Sequence, residues 1–372
     1  MNANFFIGLA RKAVATFRAV ATFRNEPAAP QPAIDRVAGR SIAMRSACAF
    51  LMMCGLGIGG IVSMPSARQV FAAEPLSEEP ITPVPATVDV DPRKVDLGRM
   101  LFSDSRLSAG NGVSCASCHF INRGLTDGLP ISRGLPGHPG VTNALSLFNV
   151  GLSSKLTWAG LDISLAEQTK RIVENPSTMG AKWDQVVATL RNDSSLNTAF
   201  QQLYREGLQR DTVIDTLVQY QTSLITPNAP FDRFLRGDSQ AISPQAQHGY
   251  QLFKTYGCVS CHQGVNVGGN MLQVFGIFGT PQAAALGAST PGSAKGSGID
   301  DARPVFRVPV LRNVQHTAPY FHDGSAATLE AAISVMAQYQ LGREISDGDI
   351  AALKDFLNSL SGEYNGAPLE NR

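Results

Sequence analysis

The stretch NGVSCASCHF, Asn111–Phe120, places two cysteines and a histidine within five consecutive positions. The same arrangement returns in YGCVSCHQG at residues 256–264. The two sets are Cys115, Cys118 and His119, and Cys258, Cys261 and His262. Zinc, a redox disulfide and a covalently attached haem each use part of this spacing, so the rest of the chain has to discriminate between them.

Cys-x-x-Cys-His is the attachment signature of c-type haem, in which the cysteines form thioethers and the histidine ligates iron. A single zinc site would need all four thiolates together, yet the pairs lie 143 residues apart and each is followed by a histidine. A thioredoxin-like disulfide leaves both histidines unexplained and lacks a βαβ pattern around either site. The motifs therefore predict two covalently bound haem c groups.

Residues 1–73 differ in character from the remainder and are interpreted as an export signal and leader. They contain eight Lys and Arg against two acidic residues, and the apolar run SACAFLMMCGLGIGGIV is followed by small residues at Ala72 and Ala73. This order is typical of a Sec-type signal, and a retained membrane anchor is the weaker alternative. We therefore expect a periplasmic protein that is not an integral membrane protein after cleavage.

The charge of the predicted mature chain excludes one class of partner. Removing residues 1–73 takes eight basic and two acidic residues from totals of 31 and 30, which leaves a formal charge of −5. A chain of this sign is a poor ligand for nucleic acid, whereas docking to a basic redox protein is compatible with it.

Helical periodicity dominates the mature chain, and alternating strand patterns are scarce. Ser and Asp are predicted to cap the segments between the motifs, and Ser243, Thr328 and Ser346 are predicted to cap later helices. We predict a mainly α fold with two cytochrome c-like haem domains and long Gly/Pro-rich loops, such as residues 276–300. The predicted domains are residues 74–228 and 229–372.

A set of further motifs falls in order around the two attachment sites. They are LGRMLFSDSRLS, TPNAPFDRFLRGD, LRNVQHTAPYFHDG and VMAQYQLG. With the haem motifs they closely resemble the bacterial di-haem cytochrome c peroxidases, a superfamily that includes MauG, and the similarity runs from about residue 95 to residue 362. In that family the N-terminal haem reacts with peroxide and the C-terminal haem relays electrons from an outside donor.

The resemblance implies roles for individual residues. Met336 falls at the distal ligand of the C-terminal haem opposite His262, although a core methionine is the alternative. Trp158 falls at the tryptophan between the haems that is implicated in electron passage. Asn143, with the backbone carbonyls of Thr317 and Pro319, matches a calcium site between the domains. His322 is expected to be structural or near the second haem, and no role is predicted for His248 or His316.

The distal pocket of the N-terminal haem departs from the family pattern in its proton-transferring residue. Peroxide-reacting members place a glutamate ten residues after a glutamine; here the glutamine is Gln168 and the tenth residue is Thr178. A threonine hydroxyl orients water but does not titrate near neutral pH. Glu174 is a neighbouring carboxylate, and the alternative is that it is simply a solvated helix residue.

The second departure concerns the distal ligand itself. Many members carry a histidine sixteen residues beyond the proximal one, where this chain has Leu135. Leucine cannot ligate iron, so the resemblance implies an open position on the iron held by His119. His138 lies three residues away and is interpreted as a turn residue, a proton shuttle or an iron ligand.

Taken together, these features predict a periplasmic di-haem c-type peroxidase that reduces hydrogen peroxide with electrons from a small redox protein, a cytochrome c or a cupredoxin. Gln168, Trp158, Thr178 and His138 are the predicted catalytic residues. One alternative is a MauG-like oxidase of a partner protein, which carries tyrosine where Met336 stands. The other is a non-catalytic electron-transfer or redox-sensing cytochrome. A homodimer is expected from the resemblance alone.

Overall fold

The structure is a computed structural model that describes residues 79–138, 140–161, 164–279, 281 and 304–369 of the 372-residue chain. The predicted export segment and most of the loop at 276–300 lie outside the described residues. What is described belongs to one compact unit that extends over residues 73–372.

The described chain is mainly helical, as its periodicity predicts. The helices are α1 (Pro92–Phe102), α2 (Leu165–Glu174), α3 (Trp183–Leu190), α4 (Ser194–Leu203), α5 (Arg210–Ser223), α6 (Pro230–Leu235), α7 (Pro244–Thr255), α8 (Leu329–Val335) and α9 (Asp347–Asn358). The strands are short: β1 (Leu272–Val274) pairs antiparallel with β2 (Val305–Arg307), and β3 (Glu363–Tyr364) with β4 (Ala367–Pro368). A π-helix at Met336–Gln340 continues directly from α8.

Three predicted helix caps are confirmed. The side chains of Ser243, Thr328 and Ser346 each accept a hydrogen bond from the backbone N–H three residues on, at the starts of α7, α8 and α9. Pro244 takes the first position of α7, where its missing N–H is not needed. The hydroxyl oxygens satisfy donors that the helices leave unpaired, so local sequence is enough to determine these boundaries.

Between the two motifs the caps are only partly as predicted. Ser164 caps α2 and Asp193 caps α4. By contrast, α3 follows Lys182 without a side-chain cap, and α5 begins one residue before Asp211, with Gln209 forming a capping box. The prediction of Ser or Asp caps was therefore wrong for α3 and α5, whose first turns are held by other contacts.

The helices that precede the two motifs repeat one packing arrangement. Each contains a glycine three residues before a Leu-Phe pair: Gly98 in α1 and Gly249 in α7. A Cβ at Gly98 would lie 2.0 Å from the carbonyl oxygen of Thr216 in α5, and one at Gly249 would lie 1.9 Å from that of Ala352 in α9. Because no side chain fits at either place, each helix crosses its partner at direct backbone contact.

Two large apolar clusters follow the same division of the sequence. One gathers buried side chains from Leu97 to Leu224, and the other gathers buried side chains from Phe231 to Leu360. The gap between them, residues 225–230, contains the boundary predicted at residues 228 and 229. The assignment of two separate haem domains remains a proposal.

The ends of the described chain cross between these clusters. Ile81, which is 1% exposed, packs in the cluster of the C-terminal half. Tyr364 and Leu369, near the other end, pack against the cluster of the N-terminal half. Arg312 stabilises the segment around Ile81, since its Nη2 donates to the carbonyl oxygen of Thr82 at 3.0 Å. Each half is therefore completed by chain from the opposite end of the sequence.

Within the described ranges, no helix is both long enough and apolar enough to cross a membrane.

Candidate functional site

The first Cys-x-x-Cys-His motif forms a tight turn that orients its histidine. Cys115–Ser117 is a 3₁₀ helix, and the backbone N–H of His119 donates to the carbonyl oxygen of Cys115 at 3.1 Å. The ring Nδ1 of His119 lies 2.8 Å from the carbonyl oxygen of Leu125, a residue at φ +57°. This bond fixes the tautomer and leaves Nε2 as the metal-binding nitrogen.

The second motif repeats this geometry. Cys258–Ser260 is a 3₁₀ helix, and the backbone N–H of His262 donates to Cys258 at 2.9 Å. The ring Nδ1 of His262 lies 3.2 Å from the carbonyl oxygen of Val267, again a non-glycine residue at positive φ, +52°. Burial lowers the pKa of His262 to about 4, which keeps the imidazole neutral, the form that ligates iron.

Burial favours the protonated thiol at three of the four motif cysteines. All four are free, and burial raises the pKa of Cys115 to about 12 and that of Cys118 and Cys258 to about 11. In the described part of the chain, no group of three or more His, Cys, Asp or Glu side chains is arranged to hold a metal ion. The zinc alternative needs such a group, so this geometry does not support it.

A cavity of about 340 Å³ lies beside the second motif. His262, Cys258 and Cys261 line it together with a predominantly apolar wall that includes Phe253, Phe275 and Phe306. Apolar walls around a neutral imidazole and two thiols suit a planar porphyrin, so these residues fit a haem at this motif.

Met336 lies on the same cavity as His262. It is the first residue of the π-helix at Met336–Gln340 and packs, partly buried, against Trp158, Phe275 and Phe306. π-Helical turns are rare and are frequently found at functional sites. This position fits the role of second axial ligand and is also compatible with a packed core methionine, so the role remains a proposal.

Trp158 is buried in the same wall. Its Nε1 donates to the carbonyl oxygen of Asn143 at 3.0 Å, and its ring makes edge contacts with Phe306 and His322 at centroid distances of 6.3 and 6.2 Å. His322 stacks on Phe306 at 4.4 Å, and within the described structure its buried Nε2 has no hydrogen-bond partner. Trp158 is therefore held in one orientation beside the His262 cavity.

The three residues of the predicted calcium site line this cavity as well. The backbone N–H of Asn143 donates to the carbonyl oxygen of His322 at 2.8 Å, and the side-chain amide of Asn143 donates to the carbonyl oxygen of Leu129 at 2.8 Å. The peptide bond between Ala318 and Pro319 is cis, and Thr317 immediately precedes it. The structure brings the three residues to one wall, and the calcium assignment itself remains a proposal.

The structure places Leu135 near the first motif. Leu135 is 9% exposed, and a Cβ on Gly180 would lie 2.7 Å from its Cδ1. The chain just before it contacts the motif, since the Sγ of Cys118 donates to the carbonyl oxygen of Arg133 at 3.4 Å. An apolar side chain therefore lies beside the His119 motif.

The polar residues predicted for the distal pocket of the N-terminal haem differ in their surroundings. The Oε1 of Gln168 is buried and has no hydrogen-bond partner among the described residues, so it is available to accept one. The hydroxyl of Thr178 instead donates to the carbonyl oxygens of Ile172 and Asn175, at 2.5 and 3.0 Å. Thr178 thus closes the C-terminal turn of α2, and this geometry lends no support to a catalytic role.

His138 and Glu174 are both exposed. The backbone N–H of His138 donates to the carbonyl oxygen of Leu135 at 2.9 Å, which makes it part of a turn. Of the interpretations open for His138, the turn residue agrees best with this placement, and Glu174 lies as a solvated helix carboxylate.

One buried residue on the His262 cavity carries no role in the sequence interpretation. Arg307 is 5% exposed, and it is one of the residues that line the cavity. Its position in the short strand β2 gave no signal, because an arginine between apolar residues usually indicates an exposed face.

Comparisons with known proteins agree with this arrangement. The family described as di-haem cytochrome c peroxidase matches residues 92–240. Cytochrome c peroxidase Ccp of Escherichia coli is 38% identical over 77% of this chain, which spans 62% of that relative. Cytochrome c551 peroxidase of Nitrosomonas europaea is 34% identical over 77% of this chain and 85% of its own length.

A solved structure of a MauG-like protein associated with microbial copper homeostasis superposes with a TM-score of 0.64 at 26% identity. The match covers 79% of this chain and 96% of that one. The resemblance inferred from the motifs is confirmed. The chain therefore belongs to the di-haem cytochrome c peroxidase family, whose cofactor is haem, and it is an oxidoreductase of the peroxidase type.

Proposed function

We propose that the chain is a periplasmic peroxidase that carries two thioether-linked haem groups and reduces hydrogen peroxide with electrons from a small redox protein. The observation that carries this proposal is an asymmetry between two otherwise matching sites. Met336 lines the cavity of His262, whereas buried Leu135 lies beside the motif of His119. One iron would be saturated and suited to electron transfer, and the other would be open to peroxide.

Haem iron supplies the electron-transfer and peroxide-cleaving chemistry at these sites. The protein's own part begins with the Nε2 atoms of His119 and His262, which are directed by the carbonyls of Leu125 and Val267. The side chain of Met336 would complete the second site. Two electrons are needed for each peroxide, which gives a physical reason for two centres in one chain.

Gln168 is the residue best suited to orient peroxide, because its buried Oε1 can accept a hydrogen bond from an O–H group. Proton delivery is the step for which this chain lacks the family's glutamate. With the Thr178 hydroxyl bonded to backbone and with Glu174 and His138 exposed, we assign this task to water at the open site.

Trp158 would couple the two centres, since it packs on the wall of the His262 cavity and is fixed through Asn143. A calcium ion held by Asn143 and the carbonyls of Thr317 and Pro319 would stiffen the same wall. The periplasmic location is supported by the signal-like residues 1–73, and the electron donor by the negative charge of the mature chain.

A second candidate is a non-catalytic electron-transfer or redox-sensing cytochrome. It is favoured by the backbone bonds of Thr178, because a chain that uses this position for helix closure has no titrating group there. The MauG-like oxidase is less well supported, since the residue on the cavity is Met336 rather than tyrosine.

The test uses the exported, haem-loaded protein. Mass measurement is expected to show two haem additions, and the optical spectrum one high-spin and one low-spin iron. Rapid mixing with peroxide should give multiple turnovers with a reduced cytochrome donor. Stoichiometric oxidation without turnover would favour the redox sensor, and absence of covalent haem would overturn the proposal.

A pair of methionine substitutions isolates the second site. Met336→Leu is expected to remove the low-spin signature of the His262 iron. Met100→Leu, at a residue 59% exposed in α1, is the matched control and should leave the spectrum unchanged. An unaltered spectrum in Met336→Leu would show that this methionine is only a core residue.

A further inference from the structure

Arg307 is a buried cation tied to the Trp158 segment. Its backbone N–H donates to the carbonyl oxygen of Trp158 at 2.7 Å, and its Nε donates to that of Thr157 at 2.9 Å. Thr157 is a non-glycine residue at φ +62°. The guanidinium therefore uses one donor on this segment and retains both terminal nitrogens, Nη1 and Nη2, for other partners.

No carboxylate in the described part of the chain pairs with Arg307. Burial lowers its pKa to about 10, with no acidic group opposing that shift. Arg312 is buried to the same degree, but its Nη1 lies 2.6 Å from Asp232 Oδ1, with both side chains fully buried. An isolated buried guanidinium is strongly disfavoured, so the contrast indicates that Arg307 has a partner other than the described residues.

The cavity beside His262 offers a place for an anionic partner of Arg307. Arg307, His262 and Met336 all line it, and no described residue along its wall is Asp or Glu. Haem carries two propionate carboxylates, and the planar fork of a guanidinium matches a carboxylate through two parallel hydrogen bonds. Both the charge and the geometry of Arg307 are thus complementary to one propionate.

We propose that Arg307 binds a propionate of the haem held by His262 and Met336 through its terminal nitrogens. Through the bond from its Nε to the Thr157 carbonyl, the side chain is also the positioning residue for the segment that carries Trp158. The inference rests on the proposed haem at the second motif. The positive charge of Arg307 would favour the reduced form of this iron. The same side chain would link the propionate to the segment that carries Trp158.

The reduction potential of the His262 haem, measured at pH 8, tests this pairing. Arg307→Gln removes the charge and is expected to shift the reduction equilibrium at least tenfold toward the oxidised form, equivalent to 59 mV for one electron. Arg307→Lys keeps the charge and should recover most of the shift. Arg343→Gln, at an exposed cation close enough to Cys258 to influence its pKa, is the matched control, and solvent should hold its effect below threefold.

The pairing is overturned if Arg307→Gln shifts the potential no more than Arg343→Gln, or if the Lys and Gln variants shift it equally. Should Arg307→Gln fail to fold, a crystal structure of the loaded wild-type protein decides. A propionate oxygen within hydrogen-bond distance of Nη1 or Nη2 is expected, and propionates directed elsewhere contradict the inference. The potential is measurable without peroxide turnover, so this test and that of the proposed function fail separately.

Discussion

The two attachment motifs have the same proximal side and different surroundings. In both, a 3₁₀ turn carries the cysteines, and a non-glycine residue at positive φ supplies a carbonyl to the histidine Nδ1. Leu135 lies beside the first motif, whereas Met336 and a cavity of about 340 Å³ accompany the second. The proximal side is determined within a dozen residues of sequence, while residues from distant segments decide what each iron can do.

The largest effect is expected at a feature that the two halves share, the close crossings of α1 with α5 and of α7 with α9. Gly98→Ala and Gly249→Ala each force a methyl group onto a backbone carbonyl oxygen about 2 Å away. We expect each to lower the free energy of unfolding by about 3 kcal/mol, the upper range for overpacking. Thermal denaturation of the loaded protein measures this.

Gly348→Ala is the control for that pair, because in the first turn of α9 the nearest atom to its Cβ is the Ser346 Oγ at 3.7 Å. It should be neutral or slightly stabilising. A large loss of unfolding free energy in only one of the two glycine variants would show that the two crossings are not equivalent.

The next test removes the difference between the two sites. Leu135→His introduces an imidazole at the position where the sequence resemblance implies an iron ligand, so the iron held by His119 is expected to become low-spin. If the imidazole occupies the iron 99% of the time, peroxide reacts ~100-fold more slowly. Leu135→Met, which conserves volume, is the apolar comparison. An unchanged peroxide rate in Leu135→His would place this residue away from the iron.

A smaller effect is expected from restoring the family's carboxylate. Thr178→Glu should raise peroxide turnover by about tenfold, below the usual range for a fully positioned acid or base. The modest gain reflects the backbone bonds of the Thr178 hydroxyl, which α2 loses in this variant. Thr178→Val loses the same bonds without adding an acid and should show no gain. A flat response to glutamate contradicts the pocket assignment.

The smallest effects are expected at the exposed groups near this pocket. His138→Ala and Glu174→Gln should each change peroxide turnover by less than about twofold, because solvated side chains contribute little to a proton transfer that they do not contact. Steady-state peroxide consumption at neutral pH is the measurement. A tenfold loss in either variant would identify the missing proton shuttle.

The sequence predicts what depends on local chemistry. The attachment motifs, the caps at Ser243, Thr328 and Ser346, and the mainly helical fold follow from side chains that act on neighbouring backbone. The placement of Met336 on the His262 cavity came from family resemblance rather than periodicity, which alone indicates a core residue.

Long-range contacts account for what the sequence does not predict. Thr178 is an exception, because its hydroxyl bonds to carbonyls only three and six residues earlier. The exposure of His138 does depend on how separate segments pack. Arg307 is the clearest case, since its significance lies in the absence of a carboxylate opposite it in the described structure. The absence of a carboxylate beside a buried arginine produces no recognisable pattern in the sequence.

The crossing of the chain ends has a consequence for dissecting the protein. Ile81 completes the hydrophobic cluster of the C-terminal half, and Tyr364 and Leu369 complete that of the N-terminal half. A cut at residue 228 would therefore give two fragments that each lack a piece held by the other. Such fragments are better suited to split-protein complementation than to independent expression, and their reassembly would report on both redox centres at once.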